Sequence, residues 1–446
     1  MIQRKRLNAQ SIPSPHGGLF LNDSTSNNLM ASFKVPGFKL FYVSCTFAAV
    51  DMTVRMAIHG WLVLELSNDS EFWIGIYALL LGIGQLLFSS LAGALADQFQ
   101  RKNLLLIEGV VSTSIATLMA VTIYLEALDL WMALAVAFVI GCLRATRFTV
   151  INRFIFDLVG PQRLVNGVSL WRVSNTPMMI GGAMLAGALI EWSGIWAAYA
   201  LLAGSLAVSL PFLALIHITG SVDSPPGHVL RQTIEGLKYA STNPPLRVLF
   251  TVSIVMETLG FAFLVMVPVM AKNVLEVDAL GMGFLQAGIG AGMFVATLFM
   301  AMKGDSLNKP NIVFLNALGA GIALIAFALS RSLPLSIFLA GAAMAFLNAY
   351  DLTLGVLIQL VAPPSMRGRA VSLHSLAISF TAVGGFVMGG VGSIVGVPVM
   401  VAAGGTGIVF NALVRRRAIL KIREYNQQDE SSIDTPISSG DNIPST

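Results

Sequence analysis

The sequence predicts an all-α integral membrane protein whose twelve transmembrane helices form two pseudo-symmetric six-helix bundles. Three observations carry that prediction. Hydrophobic residues make up 55% of the 446-residue chain and charged ones only 11%, where a soluble domain has roughly 25% charged residues; the mean hydropathy is +0.77. Apolar stretches repeatedly exceed the ~20 residues needed to cross a bilayer. The chain also repeats itself. GALADQFQRKN at 93–103 recurs as AMKGDSLNKPN at 301–311, so that Asp97, Arg101 and Asn103 fall on Asp305, Lys309 and Asn311. LFYVS at 40–44 returns as LFTVS at 249–253, LRATRFT at 143–149 as LNAYDLT at 347–353, and VSL at 168–170 as VSL at 371–373. The four anchors keep their order, each shifted by 203 to 209 residues.

Residues 1–36 carry Arg4, Lys5 and Arg6, then Ser, Asn, Pro and Gly. They lack the apolar core of a signal peptide and read as a disordered cytoplasmic tail. The N-terminal bundle, 37–217, holds spans at 38–66, 74–92, 103–125, 130–151, 164–190 and 196–217. Each is long and apolar enough to cross, and Gly, at 42 residues in all, suits close helix packing in lipid. Residues 218–245 form the longest internal polar stretch: SPPG, an amphipathic LRQTIEGLKYA, then NPP, a linker with one surface helix. The C-terminal bundle, 246–419, holds spans at 246–270, 281–302, 311–329, 334–361, 371–395 and 397–414, and 420–446 reads as a second cytoplasmic tail.

The net charge of +4 is a topology signal and does not mark a nucleic-acid surface. Lys and Arg cluster on alternate loops, at Arg101 and Lys102, Arg153 and Arg163, Arg231 and Lys238, Lys303 and Lys309, Arg367 and Arg369, and Arg415 to Arg417; the other loops hold only Lys272 and Arg331. That alternation places both termini in the cytoplasm. Cys45 and Cys142 lie inside spans, so neither a disulfide framework nor a metal cluster is expected. GIGAG at 288–292 lies inside an apolar span with no strand before it, which makes it packing and not a phosphate loop. No cofactor is expected, and no nucleophile–base constellation suggests an enzyme.

The loop after the second span, G-A-L-A-D-Q-F-Q-R-K, resembles the cytoplasmic signature of the major facilitator superfamily, Gly-x-Leu-x-Asp-x-x-x-Arg-Lys. WLVLELS at 61–67, the linker helix, and VAPPSMRGRAVSL at 361–373 are similar to the exporter branch that contains siderophore and macrolide efflux proteins. The resemblance covers nearly everything from Gly37 to Arg417 and implies the major facilitator fold, alternating access, and a cavity lined by helices 1, 4, 7 and 10. It makes Gly93, Asp97, Arg101, Lys102, Asp305, Lys309, Arg367 and Arg369 the cytoplasmic gate motif. In the second copy Gly93 becomes Ala301 and Arg101 becomes Lys309, so that half of the motif is weaker. Where antiporters of the superfamily carry Gly-Pro-x-x-Gly-Gly in helix 5, this chain has TPMMIGG; Pro177 still bends the helix, and Gly181 and Gly182 still allow close packing.

Charges inside the spans mark the candidate site, because each costs about 2.5–3.5 kcal/mol at mid-bilayer and must face partners or water. Asp51, Arg55 and His59 follow at i, i+4 and i+8 on one face of the first helix. Arg144, Arg147, Arg172, Glu257 and Asp351 complete the set, four arginines against three acids. Asp51, Glu257 and His59 are the candidate proton carriers. Arg55, Arg144, Arg147, Gln85, Gln286, Asn348, Tyr350 and Asp351 are candidates for the substrate cavity. His374, lone on an apolar helix, reads as a satisfied structural residue. Arg147 and Asp351 hold equivalent positions with opposite charge, and are expected to pair across the bundles when the inner mouth closes.

The resulting expectation is a monomeric, proton-coupled exporter of a small organic molecule in a bacterial inner membrane, with protons, substrate and lipid as its partners. The alternatives are an importer or lipid-related carrier of the same fold, or a non-transporting scaffold, for which buried charges have no use.

Overall fold

The computed structural model describes residues 31–160, 163–217, 243–304, 307–362, 370, 374 and 376–433. Twelve helices among them are long and apolar enough to cross a membrane. The first half holds α1 (Phe38–Leu66), α2 (Glu71–Gln98), α3 (Arg101–Tyr124), α4 (Leu130–Val159), α5 (Leu164–Pro177, Met178–Gly182 and Ala183–Ser193) and α6 (Ile195–Ala214). The second holds α7 (Pro244–Val255, Met256–Phe261, Phe263–Val269 and Met270–Val274), α8 (Ala279–Lys303), α9 (Lys309–Leu329), α10 (Leu333–Val361), α11 (Phe380–Val395) and α12 (Val397–Ile433).

Local chemistry explains where these helices start, stop and bend. Asp129 caps α4 by accepting from the Met132 amide at 2.7 Å, and Asp278 caps α8 from Gly281 at 2.7 Å; such a cap stabilises a helix by about 1 kcal/mol. α5 and α11 each end at one glycine in the left-handed region, Gly194 (φ 93°) and Gly396 (φ 90°), and the next helix starts immediately. A side chain would strain both turns. Proline breaks the regular ladder in α5 and α7. Pro177 precedes a π-helical turn at Met178–Gly182, and Pro268 lies just before one at Met270–Val274. α7 contains a further π turn, Met256–Phe261, with Glu257 in it.

Two boundaries differ from expectation. Ala31–Lys34, expected in the N-terminal tail, forms a short turn, and the Ser32 amide and hydroxyl both donate to Asn166 Oδ1 at 3.0 and 2.7 Å. α12 continues to Ile433, past the expected tail boundary at 420. Ile419 and Ile422, three residues apart, are buried on one face and hold its extension against the core. The linker, most of the N-terminal tail and residues 434–446 lie outside the described residues.

Within the first half α2 packs on α4, and α3 and α1 pack on α6; in the second α8 packs on α10, and α9 on α10 and α12. The halves meet along α2–α11 and α5–α8. Since α8 is the repeat of α2 and α11 that of α5, this is one contact made twice. Both seams lie toward the end of the molecule away from Arg101, Lys303 and Arg415 to Arg417, called here the far end as against the basic end. A Cβ on Gly389 would stand 2.6 Å from Gly75 Cα, and one on Gly187 would stand 2.5 Å from the Ala279 carbonyl oxygen. Backbones come this close only at glycine. At the far-end rim Lys272 Nζ pairs with Asp69 Oδ1 at 2.6 Å and lies 5.5 Å over the Trp61 ring, and Asn273 donates to the Asp69 carbonyl at 3.1 Å. Trp73 with Trp131 and Tyr124 with Trp196 form edge-to-face pairs at the same end, as an aromatic belt does at a membrane interface.

A branched side chain in the seam is predicted to hold the far end open. Overpacking costs about 1–3 kcal/mol, enough to shift a two-state ratio roughly 5- to 150-fold. With Cys45 and Cys142 replaced and a reporter introduced as Ala78→Cys, inside the α2–α11 seam, Gly389→Val should raise labelling by a polar maleimide several-fold. Unchanged labelling would mean that the seam does not depend on this contact.

Candidate functional site

The charges of the first half form one connected lattice. On α1, Asp51 and Arg55 pair within the helix as their spacing predicts. Arg55 reaches further, its Nη2 donating to Ser112 Oγ at 3.0 Å on α3. One turn before Ser112, Glu108 accepts from Arg147 Nη1 of α4 at 3.0 Å. The Arg55 and Glu108 side chains are 4% and 2% exposed, so each charge depends on its partner: an unpaired buried ion costs several kcal/mol. Two arginines and two carboxylates sum to zero, and both arginines remain charged at any working pH. Arg144 is half-buried and Arg172 exposed, and neither has a partner among the described residues.

The second half holds a different set. Glu257, buried in the π turn of α7, accepts from Thr381 Oγ1 of α11 at 2.5 Å. One turn earlier on α7, Ser253 Oγ lies 3.4 Å from His374 Nδ1, and His374 Nε2 lies 3.0 Å from Asp351 Oδ1 on α10. Asp351 is 32% exposed. Among the described residues the charged groups around Glu257 are Asp351 and His374; no arginine or lysine stands among them. The Tyr350 and Thr258 hydroxyls are buried without a partner. Asp351, Arg147 (24%) and Asp51 (12%) are partly exposed, and Arg147 lines a small pocket within the first half together with Cys45, Gly109 and Ser209.

Several expected residues have other roles. His59 is fully buried; its Nδ1 meets the Tyr199 hydroxyl at 2.6 Å and its Nε2 the Ala133 carbonyl at 2.9 Å. A carbonyl only accepts, so Nε2 carries the proton and Nδ1 accepts from Tyr199. Both nitrogens are occupied by a bridge between α1, α4 and α6, away from the mouth. Asn348 donates to the Met293 carbonyl at 3.0 Å and to Thr297 Oγ1 at 2.9 Å, tying α10 to α8 and leaving no free donor for a substrate. Gln85 and Gln286 are half-buried and make no side-chain hydrogen bond among the described residues. Arg147 and Asp351 do not meet: each is held within its own half, by Glu108 and by His374.

In the gate motif Arg101 pairs with Asp157 of α4, and Lys102 Nζ donates to the Ala214 and Ile216 carbonyls at 2.7 Å each, closing the end of α6. Gly93 is buried and Lys309 half-buried; the Asp97 side chain, Asp305, Arg367 and Arg369 lie outside the described residues. Of the helix-5 glycines, Gly182 packs near Val54 of α1 while Gly181 faces open space.

Sequence reasoning missed Glu108, Ser112, Ser253 and Thr381 and set His374 aside. One signal was available: four arginines against three acids leave a cation over, and Glu108 lies on the third span. No group of three or more His, Cys, Asp or Glu among the described residues is placed to hold a metal.

Comparison with known proteins points the same way as the architecture. A family model described as transmembrane secretion effector matches residues 27–439. The enterobactin exporter EntS of Shigella flexneri is 24% identical over 376 residues, 82% of this chain and 87% of that protein; EntS of Escherichia coli O1:K1 / APEC matches at the same identity and coverage. Among solved structures, a bacterial homologue of the human lysosomal transporter Spinster aligns over 91% of this chain and 98% of its own, with a TM-score of 0.61 and 16% identity. A D-xylose–proton symporter aligns over 84% and 96%, with a TM-score of 0.64 and 14% identity. At these identities the structural likeness is one of fold.

The lattice predicts a non-additive pair. Glu108→Ala leaves Arg147, 24% exposed, without its carboxylate and should destabilise the protein by about 1–3 kcal/mol, read as a fall in the thermal midpoint in detergent. Glu108→Leu combined with Arg147→Met should recover most of it. A double variant equal to the sum of its singles would show that the two groups do not interact.

Proposed function

The chain belongs to the transmembrane secretion effector family of major facilitator transporters, and on that premise we propose that it exports a small organic molecule in exchange for protons across a bacterial inner membrane. The observation that carries this reading is the contrast between the two halves. The first half carries arginines whose charge is fixed, of which Arg55 and Arg147 are paired within the lattice. The second carries Glu257, Asp351 and His374, each able to gain or lose a proton, with no permanent cation beside them among the described residues. A carboxylate without a fixed counter-ion is neutral when protonated and demands water or a partner when not, so its protonation biases which way the cavity opens. Glu257 is therefore the principal proton carrier. Asp51, bonded to Arg55, is the secondary one, since protonating it strands a buried guanidinium.

Orientation follows from charge. The loops at the basic end hold the lysines and arginines, which supports a cytoplasmic position for that end and for both termini. The cavity then faces the cytoplasm in this state, ready to load a molecule for export. Arg144 and Arg172, without a partner among the described residues, favour a substrate with an anionic or strongly acidic phenolic face. The relatives named as enterobactin exporters support a siderophore-like cargo.

Glu257→Gln is predicted to abolish pH-gradient-driven transport of enterobactin in proteoliposomes while leaving its binding largely intact; Asp51→Asn should reduce transport less. Full gradient-driven transport in both variants would end the proton-coupling reading. A reporter active only outside the cytoplasm, alkaline phosphatase fused after Thr446, should be inactive. High activity there would reverse the orientation.

A further inference from the structure

We infer that His374 and Asp351 form the path by which protons pass between the open mouth and Glu257. The inference rests on Glu257 being the proton carrier. Glu257 is 5% exposed, too deep to meet bulk water directly in this state. α7 rises from the basic end, so Ser253 lies one turn, about 6 Å, nearer the mouth than Glu257. His374 spans the gap between Ser253 at 3.4 Å and Asp351 at 3.0 Å, and Asp351 is the member of the group with the most exposure. Glu257 (5%) and Ser253 (1%) are both buried, and the His374 and Asp351 side chains are 15% and 32% exposed, so the group runs from buried to wet in passing from α7 through His374 to Asp351 of α10.

The chemistry balances with one proton. Water at the mouth protonates the Asp351 carboxylate, which passes the proton to His374 Nε2. The imidazolium releases its Nδ1 proton to Ser253 Oγ as the hydroxyl's own proton moves to the Glu257 carboxylate, directly or through one water. His374 is left neutral in its other tautomer, and a ring flip restores it. No charge is left uncompensated: Glu257 becomes neutral and Asp351 is again a carboxylate. The charged groups that act on His374 are Asp351 from α10 and Glu257 from α7. Tyr350 of α10 also lies beside this acidic pair. Arg367 and Arg369 lie outside the described residues. A histidine hydrogen-bonded at both nitrogens between an acid and a hydroxyl is suited to hand a proton through.

The test needs no substrate. Full-length protein in proteoliposomes or detergent is subjected to a pH jump, and the infrared carbonyl band of a protonated buried carboxyl is followed in time. Glu257→Gln should remove the band, which assigns it. In His374→Ala the band should still form but at least about tenfold more slowly, and added imidazole should restore the rate. Asp351→Asn should slow it without rescue by imidazole. His374→Gln, which keeps a hydrogen bond to Asp351 but carries no proton, should remain slow. Wild-type speed in His374→Ala or His374→Gln overturns the relay while leaving Glu257 as carrier. Absence of any titrating band in the wild type, with folding confirmed by its helical infrared signal, overturns the carrier and the relay together.

Discussion

The structure is organised by the demand that an ion held away from water find its counter-charge within the protein. In the first half that demand is met by Glu108. Its carboxylate holds Arg147 of α4, and Ser112, one turn on, holds the Arg55 that also pairs with Asp51. One face of α3 thus fixes the two cavity helices α1 and α4 in register, and the lattice is neutral only while all its members stay together. The second half meets the same demand with protons. Thr381 and His374 hold Glu257 and Asp351 by hydrogen bonds, and among the described residues no fixed cation commits either acid to its charged form. Two halves descended from one repeat have thereby come to differ in kind, one rigid in charge and one variable.

How the halves meet allows that variable charge to act. The seams α2–α11 and α5–α8 are built from glycines and small apolar contacts, without an ion pair in their interior among the described residues. Opening them therefore exposes little that needs new partners. The one ion pair across the far end among the described residues, Lys272 with Asp69, sits at the rim with side chains 27% and 47% exposed, where such a pair contributes at most about 1 kcal/mol. The far end is held shut by shape, with a weak latch, which is what a seam that must open and close requires. Under the proposed coupling, a proton added to or lost from Glu257, deep beside α11, would act on the helix that forms one side of that seam.

Much of this was legible in the amino-acid order because it follows from period and composition. The duplication, the twelve spans and the Asp51–Arg55 pair are all read from spacing along one helix. What the sequence could not show is which helices face each other. His59 continues the Asp51–Arg55 stripe, yet at its depth it meets Tyr199 and Ala133 in place of the cavity. Arg101 lies four residues after Asp97 but pairs with Asp157, which α4 brings back from 56 residues away. His374 looks solitary in its own stretch of sequence, and its partners come from α7 and α10. In each case the contact runs across the bundle and not along the chain. The surplus of arginines was the exception, a count that required another acid without saying where it lay.

The central claim is that the variable charge belongs to the second half and is centred on Glu257. It is tested most directly by the transient current that follows a pH jump across substrate-free proteoliposomes adsorbed on a solid-supported membrane. A proton moving from the mouth to a buried carboxylate displaces charge through part of the membrane, and no cargo is needed to see it. The current should be present in the wild type and in Asp51→Asn and absent in Glu257→Gln. A current that survives Glu257→Gln and disappears in Asp51→Asn would place the proton in the first half and contradict the division between the two.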